Sequence, residues 1–442
     1  MSNKKELSRL DFLKMSAVGA GVLMIPSSLS AAVSNTIKKE KKESANQINL
    51  GFIGLGQQAN YLVNGFLTIE GVKVIAGCDV YDIKNERFEK KVKDFYSKKG
   101  VKSALTMYHD YKELLANPNI DAVVIATPDH WHAVIAVAAC KAGKDVYLEK
   151  PMTFTIPEGR ALCTAVRQNN RILQVGSQQR SSDEFIHAAT LVREGKLGKI
   201  TRISACVGDG PKAYDLPQQE IPAGLDWDRW LGPLSTPFHY NAELDPLISI
   251  DPPKNEEYWG AWRWYKGMGG GYTTDWGAHM FDIAQWMLGK DLTAPVKIIP
   301  PGYAHYKDLT FVYDNGIELV QEKVKGDHKC VKVYGEKGWV YVERGHFECS
   351  NPEWEMKKQT DDSVPFETKV SHHKKFIDAV RTRVDPNVPV EVGHSSATVC
   401  SLGNIAYELG RPLDWNPIVE KFVDDPEATA MLQYKYRDGY SL

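Results

Sequence analysis

Neither sign of charge dominates this chain: 54 basic and 56 acidic residues leave a formal net charge of -2. Without a basic surplus or stripe nothing tracks a phosphodiester backbone, which excludes nucleic acid as an expected partner. Cysteine is sparse too. The 7 cysteines (Cys78, Cys140, Cys163, Cys206, Cys330, Cys349, Cys400) form no CxxC pair and no zinc-type spacing with histidine, so buried thiols and no metal site are expected. Long apolar runs are missing after residue 32, so no membrane span is expected in the body of the chain, and no internal repeat suggests a solenoid. What is there is 442 residues, 43% of them apolar. That is too much for one core, and two globular domains are expected.

The first 32 residues follow a different pattern. Lys4, Lys5 and Arg9 precede an apolar run from Met15 to Ile25 and the small residues Ser30, Ala31 and Ala32, as in an export signal. Ser8-Arg9-Leu10-Asp11-Phe12-Leu13-Lys14 resembles the twin-arginine signal, which moves folded proteins across the inner membrane, with Leu10 where the second arginine belongs. Export to the periplasm is the expectation. Residues 33–47, Lys-rich between 38 and 45, form the linker.

Short β-branched runs then alternate with helical patterns. Strands are expected at Ile48–Ile53, Val72–Cys78, Ala122–Ala126, Val146–Leu148 and Ile172–Val175, and helices near Ala59–Thr68, Trp131–Ala142 and Pro157–Asn169. Such alternation predicts a parallel sheet with right-handed crossovers over 48–176. Residues 177–410 mix a strand at Ile200–Val207, an irregular Pro/Gly/Trp-rich stretch over 211–272 and alternating strands at Leu309–Tyr313, Val331–Tyr334 and Val340–Val342. The turns Asp314-Asn315-Gly316 and Glu336-Lys337-Gly338 fit hairpins, so an α+β domain with an open, mainly antiparallel sheet is expected. Helices near His372–Arg383 and Ser395–Leu409 are expected to pack on that sheet, with 411–442 a tail wrapping the surface.

Four motifs carry chemistry. Gly54-Leu55-Gly56-Gln57-Gln58-Ala59 follows a strand and opens a helix, where glycines let the backbone approach a pyrophosphate at the helix N-terminus. Asp79 ends the next strand, where an acid binds a ribose 2'-hydroxyl and repels a 2'-phosphate, favouring NAD over NADP. Thr127-Pro128-Asp129-His130-Trp131-His132 and Glu149-Lys150-Pro151 close two further strands at the ligand-binding end of such a sheet. His130 and His132 fit a capping or packing role as well as a ligand contact. Lys150, beside a cationic ring, suits a proton shuttle. In the second domain, Gly269-Gly270-Gly271 opens a helix on which Asp275, His279 and Asp282 share one face; the glycines suggest close approach by a ligand. The aromatic segments Trp227–Trp230 and Trp259–Tyr265 suit either sugar stacking or core.

These residues together resemble the glucose-fructose oxidoreductase and inositol dehydrogenase family (Gfo/Idh/MocA) over about residues 48–415, including Val392-Gly393-His394-Ser395-Ser396-Ala397. The resemblance implies an N-terminal Rossmann dinucleotide-binding domain, a second sheet domain through which homo-oligomers form, NAD as cofactor and a carbohydrate substrate. It implies catalysis by Lys150, Asp275 and His279, with Lys150 or His279 removing the hydroxyl proton. Gly54, Gly56, Gln57, Asp79, Thr127, Pro128, His132, Glu149, Lys150 and Gln178 are expected to hold the dinucleotide. Trp262, Arg263, Tyr272, Asp275 and His279 are expected to line the substrate site. An exported enzyme must carry its cofactor bound and regenerate it in place, by a second sugar or by returning hydride to the same substrate in a redox-neutral glycosidase or lyase cycle.

Overall fold

The computed structural model describes residues 47–356, 371–432 and 434–442. The expected signal, and the linker except Gln47, lie outside them. Among the described residues six strands pair only in parallel, in the order β3-β2-β1-β4-β5-β6. They are β1 (Ile48–Ile53), β2 (Val72–Cys78), β3 (Thr106–Tyr108), β4 (Ala122–Ile125), β5 (Asp145–Leu148) and β6 (Leu173–Val175). β1, β4 and β5 are buried at every position, because helices cover both faces of the sheet, and that is why these strands are apolar runs rather than alternations. The covering helices include α1 (Gln57–Leu67), α2 (Asp82–Lys98), α3 (Tyr111–Ala116), α4 (Asp129–Lys141) and α5 (Ile156–Gln168). α5 starts on a capping box, Thr155 with Glu158, and has proline in its first turn. Phe66 of α1 is fully buried among Phe52, Tyr147 and Phe376, a contribution of about 2–3 kcal/mol from area alone. The strand order reverses between β1 and β4, which opens a crevice at their carboxyl ends.

The second lobe carries α6 (Asp183–Arg193), α7 (Trp227–Leu231), α8 (Gly271–Asp275), α9 (Gly277–Leu288), α10 (Ser371–Thr382), α11 (Val390–Leu409) and α12 (Pro426–Ala430) along its sequence. Its strands are β7 (Ile200–Ala205), β8 (Lys297–Ile299), β9 (Thr310–Val312), β10 (Glu318–Gln321), β11 (Cys330–Gly335), β12 (Gly338–Glu343), β13 (His346–Cys349), β14 (Leu413–Asn416) and β15 (Lys421–Phe422). They form one open sheet in the order β13-β12-β11-β7-β10-β9-β8-β14-β15, antiparallel throughout except for β7 with β10. Both expected hairpins form, with Gly316 at φ 79° and Gly338 at φ 145°. α6 and α9 lie on one face, where Phe185, Phe281, Phe311 and Val333 share a core.

Three expectations about the C-terminal third are corrected. α10 packs not on the second sheet but on α1, with Phe376 and Ile377 in the first lobe's core; a periodic apolar stripe names a buried face and not its partner. α11 begins at Val390 instead of Ser395. Its first turns, Val390 and Val392, enter the first lobe's core, while Val399, Leu402 and Ala406 enter the second's. The segment after Gly410 is no surface tail: β14 and β15 extend the sheet, Trp415 is buried, and Tyr436 donates to Glu158 Oε1 at 2.5 Å.

Candidate active site

The crevice at the strand ends divides into two adjoining chambers that share Thr127, Trp259, Trp262 and Arg263 as walls. Gly54, Gly56, Gln57, Asp79, Thr127 and Pro128 line the first. Gly54 sits at φ 80°, and a Cβ there would stand 2.7 Å from the Thr127 amide nitrogen, so only glycine fits. Around Gly56 a Cβ would meet nothing within 4 Å. It caps α1, no side chain satisfies the helix's first amides, and the open space above them suits an anion. Asp79 is held by the amides of Leu55 (2.7 Å) and Tyr81 (3.0 Å), one on each carboxylate oxygen, which leaves lone pairs for ribose hydroxyls. Burial raises its pKa against the pull of Lys84 and the Leu55 amide. Thr127 Oγ1 and Gln57 Oε1 are buried without a hydrogen-bond partner among the described residues. A cradle with glycine-only approach, a fixed acid and orphaned polar atoms fits a dinucleotide.

The irregular stretch 211–272 roofs this chamber. Asp245 pairs with Lys84 inside the protein, and Glu256 takes both terminal nitrogens of Arg87, at 2.6 and 2.9 Å. Tyr440, from the C-terminal segment, joins the wall.

Glu149, Lys150, Gln178, Trp262, Arg263, Tyr272, Asp275 and His279 line the second chamber. The loop after β5 aims Lys150 across the lobe boundary, where Nζ donates to Asp275 Oδ1 at 2.7 Å and to its carbonyl at 3.0 Å. Arg263 Nε lies 3.5 Å from the same carboxylate oxygen. Burial pushes the Asp275 pKa up, but Lys150 and Arg263 outweigh it and the group lies below its ordinary value. Glu149 accepts from Gln58 and Gln178, both at 2.9 Å; burial raises its pKa against those bonds. Arg344 donates to His279 Nε2 at 3.1 Å. Burial first, then the charges of Arg344 and Lys150, drive the His279 pKa well down, so the ring is neutral.

Several expected contacts fall elsewhere. His132 lines neither chamber: it stands between the carbonyls of Pro151 (2.7 Å) and Thr127 (3.0 Å), bracing the two motif loops, and burial holds it at about 4. His130 packs on the carbonyl of Trp230. Asp282 lies in the same helix as His279 but joins neither it nor Asp275 in the chamber. It is buried on Arg180, at 2.7 and 2.8 Å, and on Ser396 at 2.6 Å. The glycines before α8 serve close packing within the protein: a Cβ on Gly269 would stand 2.5 Å from the Arg263 carbonyl, and one on Gly271 2.4 Å from Gly210. Trp227 and Trp230 stack at 4.5 Å inside the core, whereas Trp259 and Tyr272, 42% and 41% exposed, face the second chamber.

Arg344, Gln58 and Tyr61, none of them expected at the site, also line the second chamber, as does Asp129 of the motif at the ligand-binding strand end. Arg344 sits in the turn between β12 and β13, 65 residues from His279, and nothing local marks it. Asp129 and Gln58 stand inside motifs already singled out. Among the described residues no group of three or more His, Cys, Asp or Glu is placed to hold a metal, and no helix is long and apolar enough to cross a membrane.

Fold and crevice together define a dinucleotide-dependent enzyme with two lobes. The chain belongs to the Gfo/Idh/MocA oxidoreductase family and binds NAD: residues 48–177 match that family's NAD-binding Rossmann fold and residues 210–442 its C-terminal α/β domain. An uncharacterized oxidoreductase YrbE of Bacillus subtilis is 26% identical over 66% of this chain and 72% of its own length. A glycosyl hydrolase family 109 protein of Shewanella sp. (strain ANA-3) is 28% identical over 55% of this chain and 54% of its own. An alpha-N-acetylgalactosaminidase of Shewanella oneidensis is 28% identical over 44% of each chain. The chain thus spans about half the length of the glycosidase relatives. Among solved structures, the aldose-aldose oxidoreductase of Caulobacter crescentus has a TM-score of 0.56 at 18% identity, over 83% of this chain and 99% of its own. The scyllo-inositol dehydrogenase of Lactobacillus casei, solved with NAD(H) and scyllo-inositol, has 0.54 at 18%, over 83% and 99%. These two share the fold.

Proposed function

We propose that the protein is an NAD-dependent oxidoreductase acting on a hydroxyl carbon of a sugar, glycoside or related polyol, with the dinucleotide tightly held. The observation that carries this reading is the Lys150–Asp275 pair, which joins the two lobes in the second chamber, beside Arg263, a wall that the dinucleotide chamber shares. Bound NAD supplies a hydride acceptor. Lys150, fixed by Asp275, offers a positioned cationic donor to the substrate oxygen. Arg263 and His279 complete the polar wall, and Trp259 and Tyr272 offer aromatic planes to the C–H faces of a sugar ring. Tight retention is supported by the roof, which the Lys84–Asp245 and Arg87–Glu256 pairs tie to the first lobe. The test is to mix purified protein with a panel of sugars and follow reduction of its nicotinamide.

A redox-neutral cycle in the same site, in which oxidation, elimination, hydration and reduction release an aglycone, is the second reading; the family 109 relatives favour it. Two further parts of the proposal concern context. The signal-like first 32 residues support export to the periplasm, tested by fractionating cells that make the full chain. The open sheet supports a homo-oligomer through that face, where Lys332 lies over Trp339 at 4.0 Å; sedimentation tests it.

A further inference from the structure

The dinucleotide chamber extends past the groups that hold pyrophosphate and ribose. Its walls shared with the second chamber mark the reacting end, and Asp79, after β2, marks the ribose at the adenosine end. β3 lies outside β2 in the sheet, so the turn that follows it stands beyond Asp79, beside the place left for the adenine. There three aromatic side chains from separate elements line the chamber: Tyr111 at the start of α3, Trp131 in the first turn of α4, and Tyr440 of the C-terminal segment. Trp131 links the other two, with its ring centroid 5.7 Å from Tyr111 and 5.5 Å from Tyr440. It is buried, and its Nε1 donates to the Trp230 carbonyl at 3.0 Å, so it backs the row. Tyr440 is only partly buried and is placed by its own segment. The Arg437 amide donates to the Pro233 carbonyl at 3.0 Å, and its guanidinium donates to the carboxylate and carbonyl of Asp228, on α7 of the roof, at 2.5 and 3.0 Å. The Tyr440 amide donates to the Arg437 carbonyl at 3.2 Å, and the Arg437 guanidinium lies 5.5 Å from the centre of the Tyr440 ring. Tyr436 ties the same segment to Glu158.

We propose that Tyr440 is a binding residue for the adenine of the dinucleotide, with the C-terminal segment acting as a strap that holds its ring against the base. The inference rests on the family's NAD binding alone and is independent of which reaction the second chamber carries out. An adenine is a flat, uncharged ring that gains by stacking on an aromatic side chain, and a ring already fixed by bonds within the protein loses little freedom when the base arrives. Opening the adenine end requires the strap to lift from α7, α4 and α5, which adds to the hold of the roof at Lys84 and Arg87.

The test uses the full chain, stripped of dinucleotide, and two probes. An azidoadenine analogue of NAD, irradiated in complex with wild type, is expected to label residues 434–442, as read by peptide mass. ADP-ribose, followed by calorimetric titration, is expected to bind Tyr440→Ala about 5- to 100-fold more weakly than wild type, and Tyr440→Phe, which keeps the ring, within ~2-fold of it. Melting temperatures of the stripped proteins separate loss of the ring from loss of the fold. If Tyr440→Ala does not fold, Tyr440→Leu takes its place with the same expectation, and if neither folds the label on wild type decides. The absence of label in 434–442, an unchanged ADP-ribose affinity in the Ala or Leu variant, or equal weakening in Tyr440→Phe overturns the assignment. None of these readouts depends on sugar turnover, so failure of the oxidoreductase reading leaves them intact.

Discussion

Nζ of Lys150 lies 2.7 Å from Oδ1 of Asp275, two residues 125 positions apart on different lobes. Each side chain is less than a fifth exposed, so the pair is partly desolvated and worth more than a surface bridge. Its chemistry follows from where it sits: the pair stands in the second chamber, beside Arg263, which both chambers share as a wall.

Removing either partner should therefore disable chemistry while sparing the fold. Lys150→Met is expected to slow single-turnover nicotinamide reduction by about 10²–10⁴-fold. Asp275→Asn should follow in the same direction, because Lys150 then loses the anion that orients it. Stopped-flow absorbance checks both, with dinucleotide content measured in parallel.

Asp79 should set cofactor choice. Its two oxygens are oriented by Leu55 and Tyr81 amides, and a charged acceptor for ribose hydroxyls is worth about 1.5–3 kcal/mol. Asp79→Ser is expected to weaken NAD by about 10- to 100-fold and to bring NADP closer to it. Titration of stripped protein with each dinucleotide measures the ratio.

Gly54 tests the cradle. At φ 80°, with the Thr127 amide 2.7 Å from where a Cβ would stand, Gly54→Ala must both strain the backbone, by about 1–2 kcal/mol, and push the β4 loop away. The expected outcome is a lower Tm and protein purified without dinucleotide, whereas Gly100→Ala, also at positive φ but with open space around it, should lower Tm alone.

Glu420 gives a pH signature. Burial pushes its carboxyl up, but hydrogen bonds from His394 and Arg160 outweigh it and bring the group to about 2 from 4.5. A depressed folded value means that the contribution is fully present above 4.5 and is lost as pH falls towards about 2. Glu420→Gln should lower stability at neutral pH by about 1–3 kcal/mol and flatten the loss between those two values, as read by denaturant melts.

Much of this was legible from spacing. The runs that became β1, β4 and β5 are apolar because both faces are buried, and Gly54, Gly56, Asp79, Thr127, Lys150, Asp275 and His279 reach the crevice as their motifs imply. Other features were hidden for physical reasons. α2 was masked by its density of charge, with only Phe88 and Val92 as fully buried apolar positions. His132 looked like a ligand because sequence cannot say that two carbonyls enclose it. Asp282 shares a helical face with His279 on a wheel, but the buried Arg180 and Ser396 hold its carboxylate inside the protein. Arg344 arrives from a distant hairpin, and no local pattern announces a contact made only by the fold.

The most direct measurement is near-ultraviolet absorbance and mass analysis of the purified protein, before and after mixing with a panel of sugars and aryl glycosides and no added cofactor. A dinucleotide already bound is the expected result, with at least one sugar that either reduces it or gives up its aglycone. Protein that carries no dinucleotide, and that leaves every member of the panel unchanged even when NAD is supplied, would contradict it.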